Sequence, residues 1–229
     1  MRKLIITIFA LLVLAGCSKK DSVTYKGIEA GTISSGIFTT DNGVGMTVVG
    51  NDGKFDVNTT RRALVSYETH PVTDASHIDI DIRGLWDAIS VPVTAVSPSS
   101  KDAVDAPIQI ADAWFNAGYL NLLASYKGKS ATHHRIYAEY TANANDITIR
   151  LYNDDSLDTT ASPNDVQDIF ACVKMDDVII GYEHFCQSLG KQPVYPVSVI
   201  LQWTWYALDE SGPVMLHERK GTYAPPASN

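Results

Sequence analysis

The residue whose surroundings point most directly to chemistry is Cys17. It follows Leu14-Ala15-Gly16 at the end of the almost wholly apolar run Leu4–Ala15, with Arg2 and Lys3 ahead of that run. The run is too short to span a bilayer with ease and has the length of a signal-peptide core. Small residues leading directly into a cysteine form a lipoprotein cleavage box. The thiol is diacylated, the bond before it is cut, and Cys17 becomes the mature N-terminus. Each buried CH₂ contributes about 0.8 kcal/mol, so a multiply acylated end stays in the membrane. Ser18, not an aspartate, follows the cysteine, which predicts sorting to the outer membrane. The expected location is therefore the cell envelope, with a lipid anchor.

The remaining chemistry-bearing residues do not assemble into a known motif. Cys172 and Cys186 sit in a chain expected to reach an oxidising compartment. They either form a disulfide, closing a loop of about 15 residues and contributing roughly 3 kcal/mol, or remain two separately buried thiols. No His-Glu-x-x-His and no Cys-x-x-Cys is present. The adjacent His133 and His134 would point to opposite faces of a strand, so the sequence predicts no metal site. Gly43-Val44-Gly45 begins like a dinucleotide loop, but its third glycine position holds Val48 and a strand follows. Asn51–Asp56 resembles a fragment of a calcium loop whose preceding ligand positions hold Val48 and Gly50, and a turn accounts for it. Pairs of carboxylates for sugar hydrolysis leave no local spacing, and 26 acidic residues single out none. The reading is a protein without catalytic residues or cofactor. Four tryptophans remain. Trp203 and Trp205 fall on an apolar strand face and are expected in the core. Trp86 and Trp114 lie near strand ends and are the candidates for a contact surface, between domains or with a partner.

The elements that must position these residues are mainly strands. His77–Arg83 alternates three isoleucines with polar groups, a half-buried antiparallel strand. Similar strands are predicted over Gly31–Thr40, Gly45–Val49, Arg61–Thr69 and Ile89–Val96, separated by Asp41-Asn42-Gly43, Asn51-Asp52-Gly53 and Pro71 with Asp74. Five strands in about 70 residues fit a small OB-like barrel. Ser97–Asp102 is a linker signal. Strands resume over Tyr119–Tyr126, His134–Tyr140, Ile147–Tyr152, Ile169–Met175 and Val197–Leu208, and the last needs a second layer over its apolar wall, which a β-sandwich supplies. One helix is predicted, capped by Asp176 or Asp177, running through Val178, Ile179, Tyr182, Phe185, Cys186 and Leu189 and ending at Gly190. The expected division is residues 1–16 signal peptide, 17–30 lipidated tether, 31–97 OB-like barrel, 98–107 linker, 108–223 β-sandwich and 224–229 flexible tail. The predicted fold class is all-β with one short helix.

Composition sets outer bounds. Cleavage leaves about 210 residues, one large domain or two small ones. The net charge is −8, and losing Arg2 and Lys3 takes the mature chain to about −10. An acidic surface of that size argues against nucleic acid as a partner.

The order of several segments resembles the NigD-like lipoproteins of Bacteroidetes. The resemblance is carried by the cleavage box, Ser35–Gly43, Thr60–Tyr67, Asp112-Ala113-Trp114, Gly118–Leu122, His134-Arg135-Ile136 and Ile149–Asn153. It implies an N-terminal OB-like domain followed by a β-sandwich, and a non-enzymatic role in which a bacteriocin-immunity function is one form. It brings no catalytic residue. The expected partner is a protein, either a toxin or another envelope component. Glycan capture is the alternative, because OB barrels bind oligosaccharides on one face.

Overall fold

The computed structural model describes residues 24–71, 77–96, 104–128, 133–158, 165–207 and 212–226. The signal peptide, Cys17 and the linker signal Ser97–Asp102 lie outside these residues.

The first five strands are β1 (Lys26–Ser34), β2 (Ile37–Thr40), β3 (Gly45–Gly50), β4 (Arg61–Thr69) and β5 (Asp79–Asp87). They close into a barrel in the order β1-β2-β3-β5-β4. Alternation drives the closure: Ile33, Phe38, Met46, Val65, Ile80 and Ile82 point inward and form one core. Two expectations change here. Gly31–Thr40 is a hairpin and not one strand, because Ser35 (φ 51°) and Gly36 (φ 76°) make a tight turn in the left-handed region. Residues 26–30, assigned to the tether, belong to β1 and pair with β4 from Lys26↔Glu68 onward.

The strand predicted over Ile89–Val96 as part of the barrel is also corrected. It divides at Pro92 into β6 (Ile89–Val91) and β7 (Val93–Ala95), which pair in parallel with two later strands in different sheets. Those sheets are built from β8 (Gln109–Asn116), β9 (Tyr119–Lys127), β10 (Arg135–Ala142), β11 (Asp146–Asp154), β12 (Val166–Lys174), β13 (Val197–Tyr206) and β14 (Val214–Tyr223). A four-stranded sheet runs β6-β12-β9-β8, and a five-stranded sheet runs β14-β13-β11-β10-β7. Their facing residues interdigitate as one core: Leu120, Leu122 and Val173 from the first sheet, Ile147, Ile149 and Leu201 from the second. The architecture is all-β, an OB-like barrel followed by a β-sandwich, with one helix.

That helix, α1 (Asp176–Ser188), buries Val178, Ile179, Tyr182 and Cys186 against the sandwich core. Its N-cap is Met175, not an aspartate; Asp176 and Asp177 occupy the first turn, where they favour the positive end of the helix dipole. The C-terminus ends as predicted at Gly190 (φ 68°). Lys191 N–H bonds to Cys186 O and Gly190 N–H to Gln187 O, a Schellman motif.

Candidate functional site

Period-two alternation gives each sandwich sheet an inner and an outer face, and the two outer faces have different surroundings. On the four-stranded sheet, Phe170 and Leu123 point outward beneath Ala30 and Leu64 of the barrel. Trp114 stacks on Phe170 there, with ring centroids 6.2 Å apart and 20° between planes. Beside this apolar patch Arg62 donates two hydrogen bonds to the Asp41 carboxylate, 2.8 and 2.6 Å, and a third of 2.7 Å to Asn121 Oδ1. The guanidinium also lies 4.1 Å over the Tyr119 ring. The layers therefore run barrel, four-stranded sheet, core, five-stranded sheet.

The outer face of the five-stranded sheet is the layer furthest from the barrel, and no element among the described residues covers it. It holds a cleft of about 500 Å³. The floor is polar: Glu139, Thr148, Arg150, Tyr152, Gln202 and Thr204 project from the central strands. One wall is apolar, formed by Val214, Met215 and Leu216 of the edge strand β14. The floor is braced by Asp105, whose carboxylate accepts hydrogen bonds from Arg150 Nη2 and Thr204 Oγ1. Tyr152 donates to Glu139 at 3.3 Å. Burial, and then the Glu139 charge, push the phenols of both Tyr137 and Tyr152 above their ordinary pKa, so both stay protonated at neutral pH. The Tyr152 ring stacks on Tyr137 at 5.0 Å, and the Arg150 guanidinium lies 5.4 Å from its centroid. Arginine, carboxylate, carboxamide and hydroxyls beside an apolar wall suit recognition of a mixed polar and apolar surface.

The residues singled out from sequence do not converge on this cleft. Trp114 packs in the barrel–sandwich contact. Trp86 stands on the barrel wall, 45% exposed, paired in register with Leu64. Cys172 and Cys186 are both free and buried, so the disulfide alternative is set aside. Alternation explains this: Ala171 and Val173 face the sandwich core, so Cys172 faces the barrel beside Arg62, whereas Cys186 of α1 lies within the core. Burial raises the Cys172 thiol pKa, with Arg62 opposing, and keeps it a thiol. Of the paired histidines, His133 is exposed and the side chain of His134 is buried, its ring between Asn153 Oδ1 (2.9 Å) and Asp158 Oδ2 (3.2 Å) and stacked on Tyr126. Among the described residues no group of three histidine, cysteine or acidic side chains could hold a metal ion. Trp203 packs in the sandwich core with Trp205 against it.

Sequence reasoning missed the cleft. Its only signal was polar residues at alternating positions of three strands, Glu139 with Thr141, Thr148 with Arg150 and Tyr152, and Gln202 with Thr204. Nothing in one sequence says that these strands are neighbours.

The same two-part architecture occurs in solved structures. A NigD-like immunity protein from Bacteroides caccae ATCC 43185 superposes with a TM-score of 0.59 at 18% identity, covering 84% of this chain and 91% of that one. The fold is the NigD-like one. A protein of unknown function from Bacteroides vulgatus ATCC 8482 shares it, with a TM-score of 0.58, 14% identity, and 89% and 92% coverage. So does a lipoprotein candidate of Bacteroides fragilis NCTC 9343, with a TM-score of 0.59, 10% identity, and 85% and 97% coverage. No curated protein matches the chain in sequence. The prokaryotic membrane lipoprotein lipid attachment site matches residues 1–18, which makes a NigD-like fold anchored by lipid in the cell envelope.

Proposed function

We propose that this protein is a non-enzymatic envelope lipoprotein that captures a protein partner in the cleft of its five-stranded sheet, in the manner of an immunity protein, from the outer membrane. The observation that carries this reading is the open cleft itself, polar on its floor and apolar on one wall, on the face opposite the barrel. A folded or extended polypeptide offers both kinds of group at that spacing. Charge adds a preference: the chain carries −8 overall, so a basic partner is attracted at long range. The name of the Bacteroides caccae protein agrees with an immunity role.

A sugar fits the cleft less well. Tyr152 has Tyr137 and Arg150 against its ring, and Trp114 is stacked on Phe170, so these rings have partners already. Trp86, with its exposed indole, is the feature that favours the glycan reading. A glycan array probed with wild type and Trp86→Ala separates the two readings, since capture through Trp86 predicts a signal lost in the variant.

The direct test is survival. Expression in a bacteriocin-sensitive strain should raise survival, and Thr148→Trp, which fills the cleft, should abolish the gain at equal abundance. Unchanged killing by every bacteriocin tried would refute the immunity form of the proposal.

A further inference from the structure

The five-stranded sheet ends differently on its two sides. At one side β7 is three residues long and lies against α1. At the other, β14 runs for ten residues in one register with β13 and pairs with no other strand among the described residues. The phase of that pairing tells which backbone groups are spare. Ala207 N–H bonds to the Pro213 carbonyl at 2.9 Å, continuing the same register. Antiparallel pairs alternate, so Met215, His217, Arg219 and Gly221 turn their N–H and C=O toward β13. Val214, Leu216, Glu218, Lys220 and Thr222 turn theirs to the edge. The bond from Ile108 N–H to the carbonyl of Thr204, the partner of Leu216, fits this phase. Outside the β13–β14 ladder, no backbone hydrogen bond among the described residues involves these five. Strand β8 reaches β14 through inward side chains: Phe115 packs on Tyr223 at 5.4 Å, and Asp112 accepts from Arg219 at 2.8 Å.

The side chains along this edge do not shield it. Val214, Met215 and Leu216 are 50%, 48% and 52% exposed. A bare edge of that length calls for a covering strand or for charges that repel one. The charges here attract a second copy of the same strand. Two copies related by a two-fold axis pair antiparallel, and hydrogen bonding sets edge-facing residues opposite edge-facing residues. With Arg219 on the axis, Glu218 lies opposite Lys220 of the second copy, and Lys220 opposite its Glu218. Leu216 then meets Thr222, and Met215 meets Tyr223. Moving the axis by one residue sets Glu218 against Glu218 or Lys220 against Lys220, which is unfavourable. Moving it to His217 sets Lys220 against Val214. Arg219 meets itself, but each guanidinium has the Asp112 carboxylate of its own chain beside it. The shared net charge of −8 is screened beyond about 8 Å at physiological salt, whereas Glu218 and Lys220 meet in contact.

We infer that β14 is a self-pairing edge, through which two copies of the chain join with Arg219 on the two-fold axis and their five-stranded sheets become one continuous sheet. The two clefts then lie on the same face of that sheet, one on each side of the axis. The inference goes beyond the reading of the cleft and stands whatever the cleft binds.

The test uses the acylated full-length protein in phosphatidylcholine vesicles at physiological salt, oxidised with copper–phenanthroline and read by non-reducing electrophoresis. Cys172 and Cys186 are buried, so a thiol placed on β14 is the one that reports. A thiol placed by Arg219→Cys faces its own copy at about 4.5 Å between Cα atoms, a spacing that a disulfide bridges. One placed by Leu216→Cys lies about 20 Å along the strand from its own copy. The expected result is at least tenfold more cross-linked dimer from position 219 than from position 216. In the Arg219→Cys background, Glu218→Lys should cut the dimer at least fivefold, because lysines then face lysines. Adding Lys220→Glu should restore it. Equal yields at the two positions would mean random collision and would overturn the inference, as would a loss that the charge exchange does not restore. Absence of dimer at position 219 would leave the edge to a strand of another protein, and would equally overturn it.

Discussion

The two outer faces of the sandwich come from the same alternation, yet one is sealed and the other is open. On the four-stranded sheet the outward residues are Leu123, Phe170 and Trp114, matched by Ala30 and Leu64, with the buried Arg62–Asp41–Asn121 group at the margin. On the five-stranded sheet the outward residues include Glu139, Thr148, Arg150, Tyr152, Gln202 and Thr204, which bond among themselves and to Asp105 but carry no covering layer among the described residues. An apolar outer face must be covered to be stable, whereas a polar one can wait for a partner. The difference separates the face that holds the molecule together from the face available for recognition.

Arg62→Ala should produce the largest effect. Asp41 and Arg62 have side chains only 6% and 11% exposed, and Asn121 is fully buried. Removing the cation leaves a buried carboxylate and amide unpaired, at a cost of about 3–5 kcal/mol. Urea unfolding should show it as a lowered midpoint. A loss under 1 kcal/mol would mean that the barrel and sandwich are held by apolar contact alone. Phe170→Ala should come next, at about 3 kcal/mol from lost burial and the cavity under Trp114. It should also shift tryptophan fluorescence, because it bares one face of that indole. On the open face, Arg150→Ala should cost only about 1–2 kcal/mol, since Arg150 and Asp105 are both partly solvated and water can take over some of the hydrogen bonds. A loss as large as that of Arg62→Ala would erase the contrast between the faces.

Legibility in the sequence follows the same contrast. Strands with one buried face are readable, as in Ile78–Ile82, where the period of two is strict. The end of α1 at Gly190 is readable because only a left-handed residue completes that cap. Two strands were missed for physical reasons. In β8 a bulge between Ile110 and Asp112 breaks the alternation. In β14 the run Val214–Leu216 is exposed on an edge strand, so no buried face imposes a period. Ile89–Val96 does read as extended chain, but strand period carries no information about the partner sheet, and Pro92 splits it between two. The cleft was invisible for a related reason: Glu139, Arg150 and Thr204 become neighbours only through the parallel pairing of β11 with β13 and the antiparallel pairing of β10 with β11.

The smallest expected effect contrasts the barrel interior with the open face at alkaline pH. In the barrel, burial first and then the hydrogen bond to Glu29 at 2.7 Å raise the Tyr67 phenol far above its ordinary pKa. On the open face Tyr152 is also raised, by burial and Glu139, but the Arg150 charge pulls the other way. In the unfolded chain each phenol ionises near pH 10. Above that pH the unfolded state releases protons that the folded state keeps, so stability is complete below about pH 10 and falls as pH rises beyond it. Tyr67→Phe should flatten that fall clearly, and Tyr152→Phe should flatten it only slightly, measured as unfolding free energy between pH 9 and pH 11. If the two variants flattened it equally, the hydroxyl on the open face would be as sequestered as the one inside the barrel. The cleft would then be a sealed surface, not one held open for a partner.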